Sequence, residues 1–182
     1  SLLQSFQYEA ILTLGSSRNL LALGLNSGFE VLHVDEDLAI RVVAREGSLR
    51  DVMTLEWSLD AKTLFVAGMS GRPFVYALQD DETSVVKRGF NELSKLPSVR
   101  VMVQDARFSC AGTFLFVLIG DAASRNCSVI VLENATLAEV NTFPSHIESC
   151  FLIDQHPSID EVFFTAAYDG TVRIMHARNG LL

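Results

Sequence analysis

One internal repeat limits what this chain can fold into more than any other feature of it. Trp57–Val66 (WSLDAKTLFV) aligns without a gap on Phe108–Val117 (FSCAGTFLFV), so that an aromatic, a serine and a Leu-Phe-Val or Phe-Leu-Phe-Val run recur in register. Leu21–Gly28 aligns on Leu64–Gly71 in the same way, and Val162–Gly170 repeats the pattern of an apolar run closed by a turn ending in Gly. A period of roughly 40 to 50 residues is the mark of a repeat architecture in which each unit buries its apolar face against the next. Four units follow.

Within each unit the apolar residues fall in runs of four to seven, separated by Gly, Asn, Asp and Ser, which reads as short strands joined by tight turns. Strands are expected near 10–14, 20–25, 29–34 and 38–44; near 52–57, 63–68, 74–78 and 84–87; near 101–108, 114–119, 128–132 and 137–143; and near 149–154, 162–167 and 171–176. The last unit then stops, its fourth strand missing. Helix is expected only as one turn near 91–95. Strands as continuously apolar as Phe114–Ile119 (FLFVLI) need cover on both faces, which radially arranged four-stranded sheets supply and a two-layer sandwich, with its stricter alternation, does not. The expected fold is all-β: one domain over 1–182, a β-propeller segment of about four four-stranded antiparallel blades at 8–44, 50–89, 99–143 and 146–182, with 1–7 as an outer strand. Four blades lie at the low end of the propeller range, so the ring is expected to be completed by missing sequence or by another chain.

The last unit carries the most specific pattern: Phe143-Pro144-Ser145-His146, His156-Pro157, then Thr165-Ala166-Ala167-Tyr168-Asp169-Gly170-Thr171-Val172-Arg173-Ile174-Met175-His176. It resembles a WD repeat. In that family a loop histidine, a Ser or Thr on the second strand, an Asp in the following turn and a Trp on the third strand form a hydrogen-bonded set. The resemblance implies a structural network of His146, Thr165 and Asp169, with Met175 where the family has Trp. It also implies a protein-docking scaffold. Elsewhere the motif is weaker, with Asn26 and Ser70 near the Asp position.

Candidate chemistry is sparse. His33 and His176 fall in third strands and His156 in a connection, and no H-x-H or H-E-x-x-H spacing occurs, so no metal or other cofactor is expected. Gly68-Met69-Ser70-Gly71 is followed by Arg72 and fails the nucleophile-elbow pattern. Asp35–Asp37 and Asp80–Glu82 are acidic runs at equivalent places in two units, read as solvated turns rather than calcium loops. Cys110, Cys127 and Cys150 are odd in number and widely spaced, which favours a reducing, intracellular setting, cytoplasm or nucleus. The sequons at Asn126 and Asn134 are read as unused. A formal charge of −8 disfavours nucleic acid and anionic membranes as partners.

In such a fold the turns between second and third strands and the connections entering each unit share one rim. There Arg50, Arg72, Arg125 and Tyr168 are the candidate partner-binding residues, since Arg and Tyr dominate interface energetics. The expectation is a non-catalytic protein–protein interaction scaffold, a subunit of a larger intracellular assembly. The alternative is a propeller hydrolase or lyase with Asp121, Asp169 or a histidine in a central channel. Phosphate or lipid-headgroup binding by Arg45 with Arg50, or Lys87 with Arg88, is a third and weaker reading.

Overall fold

A computed structural model describes residues 11–70, 73–79, 84–88, 101–121, 126–146 and 148–182. The described residues form strands and turns, with no helix and so none long and apolar enough to cross a membrane. The helical turn expected near 91–95 and the N-terminal strand expected at 1–7 lie outside the described residues.

Sixteen strands make four antiparallel sheets of four, each in sequence order. Sheet one is β1 (Ile11–Ser17), β2 (Leu20–Leu25), β3 (Gly28–Val34) and β4 (Ile40–Glu46); sheet two is β5 (Arg50–Trp57), β6 (Thr63–Ser70), β7 (Phe74–Leu78) and β8 (Val85–Arg88). Sheet three is β9 (Val101–Phe108), β10 (Phe114–Asp121), β11 (Cys127–Glu133) and β12 (Glu139–His146); sheet four is β13 (Cys150–Gln155), β14 (Val162–Ala167), β15 (Val172–His176) and β16 (Gly180–Leu181). The last sheet therefore has a fourth strand, contrary to the expectation from sequence. β16 is two residues long, carries no apolar run, and pairs with β15 through Met175–Leu181 and His176–Gly180. β12 reaches His146, three residues past the expected end at 143, because His146 still pairs with Cys127 across a register shift.

The first strands join the sheets: β1 packs on β5, β5 on β9 and β9 on β13. Among the described residues no comparable packing links β13 back to β1. Between sheets one and two lie Ala22, Phe29, Val31, Leu64, Val66 and Tyr76; between two and three, Phe65, Val75, Leu115, Val117 and Leu132; between three and four, Phe116, Leu118, Val129, Val131, Phe163 and Met175. Alternate residues of one strand serve opposite interfaces, Phe65 and Val66 or Leu115 and Phe116. This is why these strands read as unbroken apolar runs: both faces of sheets two and three are covered.

A register shift recurs in every first-to-second strand pair, leaving Leu12, Met53, Gln104 and Phe151 as the extra residue. Such a bulge pushes one side chain out of the ladder, and Met53, Gln104 and Phe151 are exposed. The turns of one sheet touch the connection into the next: the Asp51 amide donates to the Asn26 carbonyl at 3.0 Å. Gly28, at φ +147°, lies so close to the Glu46 carbonyl that any Cβ would collide with it.

Candidate functional site

His146 closes β12, Thr165 sits in the middle of β14, and Asp169 lies in the β14–β15 turn. The structure brings the three together. His146 Nδ1 is 2.9 Å from Asp169 Oδ2, and Nε2 is 3.0 Å from Thr165 Oγ1. The Ser145 hydroxyl donates to Thr165 Oγ1 at 3.0 Å, and the Thr171 hydroxyl donates to Asp169 Oδ1 at 2.6 Å. One assignment satisfies the whole chain: Ser145 donates to Thr165, Thr165 to Nε2, and Nδ1–H to the carboxylate. The Thr171 hydroxyl, with His146 and the Thr171 amide, holds the Asp169 carboxyl down at about 2. Stability drawn from that lowering is present above the ordinary carboxylate value of 3.8 and is lost as pH falls toward 2.

Hydroxyl, imidazole and carboxylate in line have the composition of a nucleophilic triad. Access decides against that use, because Thr165 is 1% exposed and the His146 side chain is sealed. What the network does is tie the end of sheet three to the centre and turn of sheet four. Met175 is buried among apolar neighbours and takes no part in it. Thr165→Val is expected to cost about 1–3 kcal/mol, the penalty for leaving His146 Nε2 and the Ser145 hydroxyl unpaired; urea unfolding of the variant measures it.

Of the rim candidates, Arg50 opens β5 and is exposed, while Tyr168 is 76% exposed in the β14–β15 turn. They belong to sheets two and four. Arg72 and Arg125 lie outside the described residues, as does the side chain of Asp121. The Tyr168 amide donates to the Ser149 carbonyl at 3.1 Å, and its ring lies 5.0 Å from that of Phe151, the bulged residue of β13. Sequence reasoning named Tyr168 and missed Phe151.

A second cluster was missed altogether. Glu56 stands opposite Phe65, Arg107 opposite Phe116 and Asp154 opposite Phe164, one charged residue at the same register position of β5, β9 and β13. Arg107 Nη1 lies 2.8 Å from Asp105 Oδ1 and 3.5 Å from Glu56 Oε2, and its Nε is 3.9 Å from Asp154 Oδ1. The Ile153 amide donates to Asp105 Oδ2 at 3.3 Å. Glu56, Gln104, Asp105 and Arg107 line a cavity of about 300 Å³ with Ser16, Thr54 and neighbouring residues of β1 and β5. Burial raises the Glu56 carboxyl to about 7, more than Arg107 lowers it, and burial raises Asp105 as well. The readable signal was the charged residue just before each aromatic–serine pair, Glu56-Trp57-Ser58 and Arg107-Phe108-Ser109. A guanidinium, not a histidine, is the partner of these carboxylates.

His33 and His176 lie on β3 and β15, and His156 follows β13, where its ring accepts from the Ile159 amide at 3.0 Å. The Asp35 carboxylate accepts from the Ala39 amide at 2.7 Å in an exposed turn; Asp80–Glu82 lie outside the described residues. Among the described residues no group of three or more His, Cys, Asp or Glu is placed to hold a metal ion. All three cysteines are free thiols, and burial pushes Cys150 up to about 11.

No family model matches the chain. Among solved structures it is similar to the crystal structure of the computationally designed Ika4 protein, with a TM-score of 0.67 and 15% identity over 94% of this chain and 93% of that one. At that identity the likeness shows a shared fold alone.

Proposed function

We propose that this chain is a WD-repeat-like β-propeller segment that serves as a non-catalytic protein-docking module of a larger intracellular assembly. The observation that carries the reading is the Phe151–Tyr168 pair, two aromatic rings held together at the rim with about half of Phe151 and most of Tyr168 in solvent. Rigid exposed aromatics with few rotatable bonds are the usual anchors of protein interfaces. They sit on a bulge and a tight turn, so little entropy remains to be lost when a partner covers them. Succession of four like sheets through their first strands supports the propeller part of the reading, and three free thiols support a reducing compartment. The hydroxyl–imidazole–carboxylate chain offers the enzyme alternative no reachable nucleophile.

A photoreactive phenylalanine analogue in place of Tyr168 is expected to give discrete protein adducts in cells, lost when Phe151→Ala is added. The same analogue at exposed Leu38, on the opposite set of turns, provides the comparison. Equal adduct yield from both positions would overturn the reading.

A further inference from the structure

Cys127 opens β11 of sheet three, Cys150 opens β13 of sheet four, and the two meet in the core between those sheets. The Cys150 amide donates to Cys127 Sγ at 2.8 Å. Two bonds part that sulfur from its own Cα and one bond parts the nitrogen from the Cα of Cys150, so the two Cα atoms are no more than about 7 Å apart even with every bond in line, and a disulfide spans about 4.4–6.8 Å. The second sulfur is close as well. Cys150 Sγ donates to the Ala166 carbonyl at 2.9 Å, and Cys127 is among the groups whose nearness raises the Cys150 thiol. Cys110 belongs to the turn after β9 and is not part of that core.

Burial sets how fast such a pair reacts. Cys127 is 3% and Cys150 1% exposed, and desolvation pushes both thiols up, Cys150 to about 11; the thiolate is the attacking form, so oxidation of the folded chain is slow. Position sets how the reaction ends. Sulfurs held side by side by the fold are at a high effective concentration, whereas in an unfolded chain the segment between them has to be closed into a loop first.

We propose that Cys127 and Cys150 form a disulfide site, closed by a low-molecular-weight disulfide such as oxidised glutathione while the chain folds and shielded from solvent once sheets three and four have met. One cysteine thiolate attacks the glutathione disulfide, forming a mixed disulfide and releasing one glutathione thiolate. The other cysteine thiolate then attacks the protein sulfur of that mixed disulfide and expels the second glutathione. The chain gives up two electrons and two protons, which end on two glutathione thiols. The bond staples the start of β11 to the start of β13, across the junction that His146, Thr165 and Asp169 also tie. It does not depend on the docking reading.

The test is to refold the reduced, denatured chain in a glutathione redox buffer, alkylate it and map it by mass spectrometry, with the same buffer in denaturing urea as the reference. The expected main species carries a Cys127–Cys150 bridge and an unbridged Cys110, with a closed-to-open ratio at least about tenfold higher in the folded than in the unfolded chain. Dithiothreitol is then expected to lower the urea midpoint of the oxidised wild type and to leave that of Cys127→Ala unchanged. A closed-to-open ratio no higher in the folded chain overturns the proposal, and so does a main bridge through Cys110.

Discussion

Phe116→Ala is expected to destabilise the chain by about 4 kcal/mol, within the range for deleting a buried aromatic ring. The Phe116 side chain is fully buried between sheets three and four, 4.4 Å from the Phe163 ring in a stacked pair and 6.2 Å from Phe114. Neither neighbouring sheet can collapse into the void without breaking its own ladder, so most of the cavity persists. For a chain of this size each kcal/mol moves the unfolding midpoint by roughly 2–4 °C. Phe164→Ala supplies the internal control, because Phe164 holds the same register position one sheet later and is only partly covered. In a single chain it is expected to cost less than about 1.5 kcal/mol. Equal costs, measured by urea unfolding at low protein concentration, would mean that something covers the outer face of sheet four within one chain.

The second large effect is on pH dependence. Glu56 has an ordinary value of 4.5 and is raised to about 7 in the folded chain. A carboxyl raised on folding binds its proton more tightly in the folded than in the unfolded state. Its favourable contribution is therefore complete below about 4.5 and is lost as pH rises through about 7. At about 1.4 kcal/mol for each unit of displacement, the loss approaches about 3 kcal/mol. Asp105 is raised for the same reason and acts in the same direction. Asp169 has the opposite sign in a separate window, below 3.8. Glu56→Gln keeps the shape and removes the charge. Urea midpoints of that variant between pH 4.5 and 8 are expected to be flatter than wild type and higher at pH 8. An unchanged slope would show that Glu56 is solvated in the folded chain.

Strand positions were legible in the sequence because both faces of sheets two and three are covered, which makes their second strands unbroken apolar runs bounded by turn residues. β16 was not legible, since two residues beside Gly180 carry no periodicity. His146, Thr165 and Asp169 were named from the WD-repeat resemblance of one continuous stretch, in which the histidine ends β12 and the other two lie on β14 and in the turn after it. The Glu56, Arg107 and Asp154 set lies on three units, at 56, 107 and 154, and only register across β5, β9 and β13 brings it together. The place before each aromatic–serine pair marks Glu56 and Arg107 locally, but nothing local marks Asp154 or says that the three meet. Phe151 escaped for another reason: within the run Cys150-Phe151-Leu152-Ile153 it looks like one more core residue, and only the bulge turns it outward.

Carbene footprinting of the wild-type chain tests most directly the claim that sheet four seats Phe163 and Met175 on sheet three while Val172 and Ile174 stay uncovered. The account predicts that Phe163 and Met175 stay protected, whereas Val172 and Ile174, 68% and 47% exposed, are heavily labelled. Protection of Val172 and Ile174 equal to that of Phe163 would contradict it, since that face would then be covered.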